Sequence, residues 1–192
     1  MKNIIKYILF IVLIFSMVSC ETMKDYDEQY AATYPISGEW WVRYTINGKD
    51  TLALGYTKLI TTNTTANVAS EILAIGKTRL FNYNFKSGSD VAALTFSVTN
   101  SANTNASDAA LINFPKFTVA NGKVILKSAK ANSGTLCDSI NFEWKLDAAA
   151  VDSVNKYYAN HTELLPHIHF TNPTETIVVS GIRRTGFSID DH

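Results

Sequence analysis

Apolar and polar side chains alternate along most of the chain from Gly38 onward, and this alternation constrains the fold more than any other feature. The clearest run is Ile140 to Lys145, where large apolar residues alternate with asparagine, glutamate and lysine. Side chains two positions apart share one face of a β-strand, so such a run predicts a strand with one buried and one wet face. Similar runs occupy residues 40–46, 81–86 and 94–99. The sequence therefore predicts an antiparallel, all-β protein.

Turn-forming residues separate the alternating runs. Asn47–Gly48 supplies the two positive-φ residues of a tight hairpin, which predicts that residues 51–62 return as the partner strand. Further turns are predicted at Gly88, Asn121–Gly122, Gly134 and Pro173, and a polar loop at 100–108. The runs add up to roughly eight to ten strands with short connections, which indicates a closed barrel or a sandwich. A barrel of about eight strands can hold one small ligand.

One segment departs from the alternation. Asp147 has the side chain of a helix N-cap and precedes three alanines, which favours a short helix or a loop over residues 147–158. Val151 and Val154 fit a strand almost as well, so both interpretations stay open at this point.

The beginning of the chain has the composition of an export signal. Lys2 and Lys6 precede an uncharged apolar stretch that is shorter than the roughly 20 residues needed to span a bilayer. Met17–Cys20 resembles the lipobox of bacterial lipoproteins, whose cysteine is acylated. We therefore expect a signal peptide at 1–19, a flexible tether at 20–36 that starts from lipidated Cys20, and a barrel domain at 37–192.

The anchor and the charge balance set the expected location and partners. The acidic stretch after Cys20 resembles tags that carry some gut-commensal lipoproteins to the outer face of the outer membrane, and it also fits a simple solvated tether. We expect an outer-membrane lipoprotein of a Gram-negative cell envelope, with surface display as one outcome. Without the two signal lysines, fifteen basic and seventeen acidic residues remain, a formal charge of −2. The chain thus lacks the electrostatic footprint of a nucleic-acid-binding protein.

A family resemblance rests on the two ends of the predicted barrel. Gly38-Glu39-Trp40 opens the first strand and Arg183-Arg184 lies in the last. This pairing resembles the lipocalin (calycin) arrangement, in which a basic side chain from the final strand lies across the indole at the closed end of the barrel. Residues 62–73 and 180–187 are similar to one lipoprotein family, the lipid-binding putative hydrolases. The resemblance implies a lipid-like ligand, and it marks Trp40, Arg183 and Arg184 as a barrel-end signature rather than as catalysts.

The candidate ligand-binding residues are aromatic side chains on predicted inward positions: Tyr44, Phe81, Tyr83, Phe85, Phe96, Phe142 and Trp144. Ligand sites are mostly apolar with a few polar groups, so this set can line a cavity for an apolar molecule. The same set can equally fill a packed core, because large aromatic residues dominate cores.

A histidine-rich segment is the candidate metal site. His167 and His169 share one face of a strand and can chelate zinc, with His161 or Glu163 as a third ligand. The alternative is a polar loop near Pro166 that simply contains histidines. We favour the loop and expect no metal and no other cofactor.

Enzymatic activity is not favoured by the sequence. No Gly-x-Ser-x-Gly elbow, P-loop or His-Glu-x-x-His motif is present. Once Cys20 is acylated, Cys137 is the only thiol left, and we expect a small buried apolar side chain there. Three functions remain open: an anchored module that binds a lipid or another apolar molecule, a structural lipoprotein that uses outward-facing Trp41 to contact an envelope protein or surface polymer, and a lipid or ester hydrolase.

Overall fold

The alternating runs form antiparallel β-strands in the computed structural model, which describes residues 30–50, 55–78, 81–105, 116–160 and 174–192. Within these ranges the strands are β1 (Gly38–Ile46), β2 (Lys49–Asp50), β3 (Thr57–Asn63), β4 (Glu71–Lys77), β5 (Asn82–Asp90), β6 (Thr95–Ala102), β7 (Lys116–Lys130), β8 (Leu136–Lys145) and β9 (Thr176–Arg183). Residues Ala31–His192 belong to one compact unit.

The sheet closes on itself because β1 pairs with strands on both of its edges. Trp40 lies opposite Leu59 of β3 and opposite Arg183 of β9. From β3 to β9, each strand pairs with the next one along the chain, and every pairing is antiparallel. The short β2 continues the β1 hairpin, so the closed barrel has eight strands. The predicted all-β, lipocalin-like barrel is confirmed.

Two of the predicted turns are confirmed and two are wrong. Asn47 and Gly48 have φ values of 50° and 76° and join β1 to β2, and Gly134 (φ 85°) lies in the turn between β7 and β8. Gly88 instead lies inside β5, and Asn121–Gly122 lies inside β7. Pro173 is outside the described residues. At Asn121–Gly122, sequence alone does not separate a turn from a bulge, because both use glycine or asparagine at positive φ, whereas Gly88 pairs regularly with Glu71 and Ser97.

The Asn121–Gly122 pair forms a β-bulge. Asn121 has φ 54°, and the pairing of β7 with both neighbouring strands shifts around this position. A Cβ atom on Gly122 would lie 2.3 Å from the Phe96 carbonyl oxygen and 2.5 Å from the Phe96 ring. Glycine therefore lets the inward Phe96 side chain pack directly against the backbone of β7.

The segment after β8 is a helix, α1 (Ala148–Asn160), as one of the two interpretations predicted. The Asp147 carboxylate accepts a hydrogen bond from the Ala150 amide at 2.8 Å, which is the predicted N-cap. Val151 and Val154 are buried against the barrel core. Among the described residues, no helix is both long and apolar enough to cross a membrane.

The two ends of the barrel differ. The end where β1, β6 and β8 begin, which we call the Trp40 end, carries a short 3-10 helix at Tyr34–Ile36 with a fully buried Ile36. The opposite end, where β8 runs into α1, we call the α1 end. Any interior site must lie between these two ends.

Candidate ligand-binding interior

All seven aromatic side chains predicted to point inward are buried, and none is more than 4% exposed. They come mainly from β5, β6 and β8, with Tyr44 on β1 and Phe81 just before β5. The strand parity predicted from the sequence therefore places them correctly inside the barrel. Their role in ligand binding stays a prediction.

Phe117 on β7 is the ring that joins this set together, and it is not among the residues predicted from the sequence. Its ring centroid lies 4.8 Å from Trp144, 5.1 Å from Phe85 and 5.5 Å from Tyr83. The alternation of Phe117 and Val119 with Lys116 and Thr118 was the signal that could have identified it. Rings at these separations are in van der Waals contact, so protein side chains occupy this part of the interior.

The strand next to β5 carries two small inward residues beside these rings, after the larger inward Ile72. On β4, Ala74 and Gly76 point inward between neighbours that point outward. A Cβ atom on Gly76 would lie 2.5 Å from the Tyr83 ring and hydroxyl. Glycine at this position is therefore required by the aromatic cluster rather than by a turn.

Tyr44 and Tyr83 form a buried polar pair within the aromatic interior. Their hydroxyl oxygens lie 2.6 Å apart, and the Tyr44 hydroxyl donates to the Lys77 carbonyl oxygen at 3.3 Å. Burial raises the pKa of Tyr44 to about 12 and raises the pKa of Tyr83 well above its ordinary value. Both phenols are thus neutral hydrogen-bonding groups in a mostly apolar surrounding, near the α1 end.

The Trp40 end is held by a network around a fully buried indole. Trp40 Nε1 donates to Thr61 Oγ1 at 2.9 Å, and that hydroxyl donates to the Ile36 carbonyl oxygen at 2.7 Å. The Arg183 guanidinium lies 4.5 Å from the centre of the Trp40 ring. This is the geometry that the lipocalin resemblance implied, and it closes the barrel beneath the aromatic cluster.

Arg183 also connects three parts of the chain. Its Nη1 donates to the Ser37 carbonyl oxygen at 2.7 Å, and its Nε lies 2.9 Å from the Asp138 carboxylate. A Cβ atom on Gly38 would lie 2.7 Å from Arg183 Nη1. The glycine of Gly38-Glu39-Trp40 therefore provides the space through which the arginine reaches the indole.

Arg184 lies on the outer side of the barrel and does not contact the indole. It forms a two-bond pair with Asp191, at 2.7 and 2.8 Å, and a third bond of 3.0 Å to Glu39. These bonds lower the pKa of Asp191, and bonds from Lys58 and Arg184 lower the pKa of Glu39 despite partial desolvation. The two arginines thus have different roles, which their adjacency in the sequence did not reveal.

Trp41 is on the outer face, as predicted, but it is not an open surface. The His192 ring packs edge-on against it at 5.9 Å and stacks on Tyr56 at 4.2 Å. On Tyr56, the Arg43 guanidinium lies 4.6 Å from the ring centre. The C-terminal residues therefore cover the tryptophan that one hypothesis assigned to a partner.

A cleft of about 620 Å³ lies against β5, β6 and β7. It is lined by the Phe96 ring as well as by hydroxyl groups, glycines and the oppositely charged Asp90 and Lys123. The cleft therefore has a mixed polar and apolar lining that includes one of the seven predicted ligand-binding rings.

Several predicted site residues lie outside the described residues: Cys20, His161, Glu163, His167 and His169. Within the described ranges, no group of three or more His, Cys, Asp or Glu side chains is placed to hold a metal ion. Cys137 is buried and has no disulfide, and burial raises the pKa of its thiol. It is the small apolar side chain that we expected.

A closed antiparallel barrel with an arginine across a tryptophan at one end defines a lipocalin-like protein. The chain belongs to the lipid-binding putative hydrolase family, whose sequence pattern it matches over residues 25–188. This match covers the barrel from before β1 to beyond β9, and it confirms the family resemblance noted in the sequence. The family and the fold together support a lipid-binding function. No curated protein matches the chain.

Proposed function

We propose that this protein is an outer-membrane lipoprotein, anchored through Cys20, whose barrel interior binds a lipid or another apolar small molecule. The observation that carries the proposal is the aromatic interior of a closed barrel, in a chain that belongs to a lipid-binding family. Apolar surface with a few polar groups is the usual composition of a small-molecule site. The Tyr44–Tyr83 pair supplies those polar groups.

The α1 end of the interior is the place where this ligand binds. The Trp40 end is closed by Ile36 and by the bonds of Arg183, whereas the two tyrosine hydroxyls lie toward the α1 end. Because the rings already touch one another, the ligand has to displace ring contacts next to the small side chains of β4. An apolar chain then replaces ring–ring contacts with ligand–ring contacts, and a hydroxyl or carbonyl group can pair with a tyrosine.

Two alanine-to-leucine substitutions, one inside the barrel and one at its surface, test where the ligand binds. Ala74→Leu adds apolar volume at a buried position on β4, beside the aromatic rings, whereas Ala102→Leu adds the same volume at an exposed position on β6. We expect native mass spectrometry of the protein from membranes to detect one apolar molecule per chain. Ala74→Leu should weaken its binding at least tenfold, and Ala102→Leu should leave it unchanged. Equal affinities in both variants would refute an interior site.

The anchor and its location are tested separately. Intact mass measurement of the mature chain should show acylation at Cys20 and loss of residues 1–19, and Cys20→Ser should abolish both. Protease added to intact cells should degrade the protein if it is displayed at the surface and spare it if it faces the periplasm. Fractionation of the parent with the inner membrane would refute the proposed outer-membrane location.

A further inference from the structure

We propose that the Trp40 end of the barrel docks on the surface of a bilayer that contains anionic lipids. The first observation is a hairpin that runs past the barrel wall. Val124 is the last residue of β7 buried in the barrel core, and Ile125 and Leu126 beyond it are exposed. Leu136 at the start of β8 is 63% exposed. Apolar side chains therefore project from the end of the hairpin into solvent.

A second exposed apolar group is fixed beside this hairpin. The 3-10 helix Ser188–Asp190 follows β9, and its Ile189 is 65% exposed. Asp190 accepts bonds from the Ser133 amide at 2.6 Å and the Ser133 hydroxyl at 2.7 Å, which tie this helix to the β7–β8 turn. We call Leu126, Leu136, Phe187 and Ile189, together with Lys127 and Lys130, the docking face. Exposed apolar groups of this kind mark interaction surfaces.

The exposed charges of the docking face favour an anionic partner, because Lys127 and Lys130 outnumber the carboxylate of Asp190, which is buried beneath bonds from Ser133 and Thr185. Lys127 and Lys130 are exposed and form no ion pair with any described residue. The arginines at the same end are already paired, Arg183 with Asp138 and Arg184 with Asp191. Segments that lie on membranes combine lysines with exposed aliphatic side chains. The cations interact with lipid phosphates, and the apolar groups insert into the interface.

The position at which the chain enters the barrel points to the same surface. The chain enters the barrel through Tyr34–Ile36, which lies at the Trp40 end. From Cys20 to Ala31 the chain can span at most about 40 Å when fully extended. A lipid on Cys20 would hold this end close to the bilayer and raise its effective concentration there. The α1 end, where the ligand is proposed to bind, would then face away from the membrane.

This inference extends the proposed anchoring, but its test does not depend on the acyl group. The mature chain with Cys20→Ser is mixed with phosphatidylcholine vesicles, with or without phosphatidylglycerol, and sedimented. We expect binding to the anionic vesicles that weakens as salt is added. Lys127→Gln with Lys130→Gln should weaken it about 25-fold, at about fivefold per lysine. Leu136→Ser with Ile189→Ser should also weaken it, through loss of apolar contact.

The control replaces two exposed lysines at the other end of the barrel. Lys77→Gln with Lys145→Gln removes the same charge near the α1 end and should bind the anionic vesicles as the parent does. Absence of vesicle binding by the parent, or an equal loss in this control, would overturn the docking proposal. Self-association that is lost in the docking-face variants, without vesicle binding, would assign the face to a second copy of the chain and also overturn it.

Discussion

Replacement of Phe117 by alanine tests whether the interior is a packed aromatic cluster. The Phe117 ring is fully buried and lies within 5.5 Å of the ring centroids of Tyr83, Phe85 and Trp144. Burial of a phenylalanine contributes about 1.5–3 kcal/mol, and each ring contact adds about 0.5–1.5 kcal/mol. We therefore expect Phe117→Ala to lower the free energy of unfolding by about 3–5 kcal/mol, the usual range for such core truncations.

Urea unfolding followed by tryptophan fluorescence measures this loss, and Phe187→Ala provides the matched control. Phe187 is 56% exposed, so its truncation should change the free energy by no more than about 0.5 kcal/mol. The thermal midpoint of Phe117→Ala should fall by about 10 °C, given about 2–4 °C per kcal/mol for a chain of this size. A loss below about 1 kcal/mol for Phe117→Ala would refute the packed interior, because a ring in a hollow or hydrated space has few contacts to lose.

Three further predictions concern the polar groups of the barrel. Arg183→Met removes the cation from the indole and leaves the Asp138 carboxylate with the Lys127 amide but without its cationic partner. We expect a loss of about 2–4 kcal/mol in urea unfolding, and a loss below about 1 kcal/mol would contradict the network. Tyr83→Phe should lower the free energy of unfolding by about 1–2 kcal/mol. The double variant Tyr44→Phe with Tyr83→Phe should lose less than the sum of the two single variants, because neither hydroxyl of the pair is then left without the other. Additive losses would contradict the buried pair. Desolvation opposes ionisation of Asp190, but hydrogen bonds from hydroxyl and amide groups lower the pKa of its carboxyl below 3.8. The ionised carboxylate therefore stabilises the folded chain above pH 3.8, and this stabilisation is lost as the pH falls through the lowered pKa of the folded state. Acid titration of Asp190→Asn should therefore show a shallower loss of stability below about pH 4, and an unchanged slope would contradict the assignment.

The strands and their inward faces were predictable because burial on one side of a sheet imposes a period of two. Ile140 to Lys145 and the hairpin at Asn47–Gly48 appear in the structure as the pattern indicated. The position of the bulge was not predictable, since Asn121–Gly122 has the residues of a turn and becomes a bulge only because Phe96 packs against Gly122. That contact depends on tertiary packing, which no local pattern contains.

The candidate site was predictable in composition and not in geometry. The aromatic residues were identified from parity, yet the contacts that Phe117 makes across the barrel depend on strands distant in sequence. Which of two adjacent arginines lies over Trp40 depends on strand parity at the end of β9, and it is Arg183. The covering of Trp41 by His192 depends on the path of the last residues, which have no periodic pattern.

Quenching of tryptophan fluorescence by a brominated fatty acid tests ligand binding in the interior most directly, because bromine quenches only at close approach. Trp144 lies in the aromatic interior, whereas Trp41 lies on the outer face of β1. We expect quenching that saturates at one fatty acid per chain, disappears largely in Trp144→Phe and persists in Trp41→Phe. Quenching that never saturates would contradict a ligand within the barrel. Quenching that persists fully in Trp144→Phe would contradict its placement at the α1 end, because the other buried tryptophan, Trp40, lies at the opposite end.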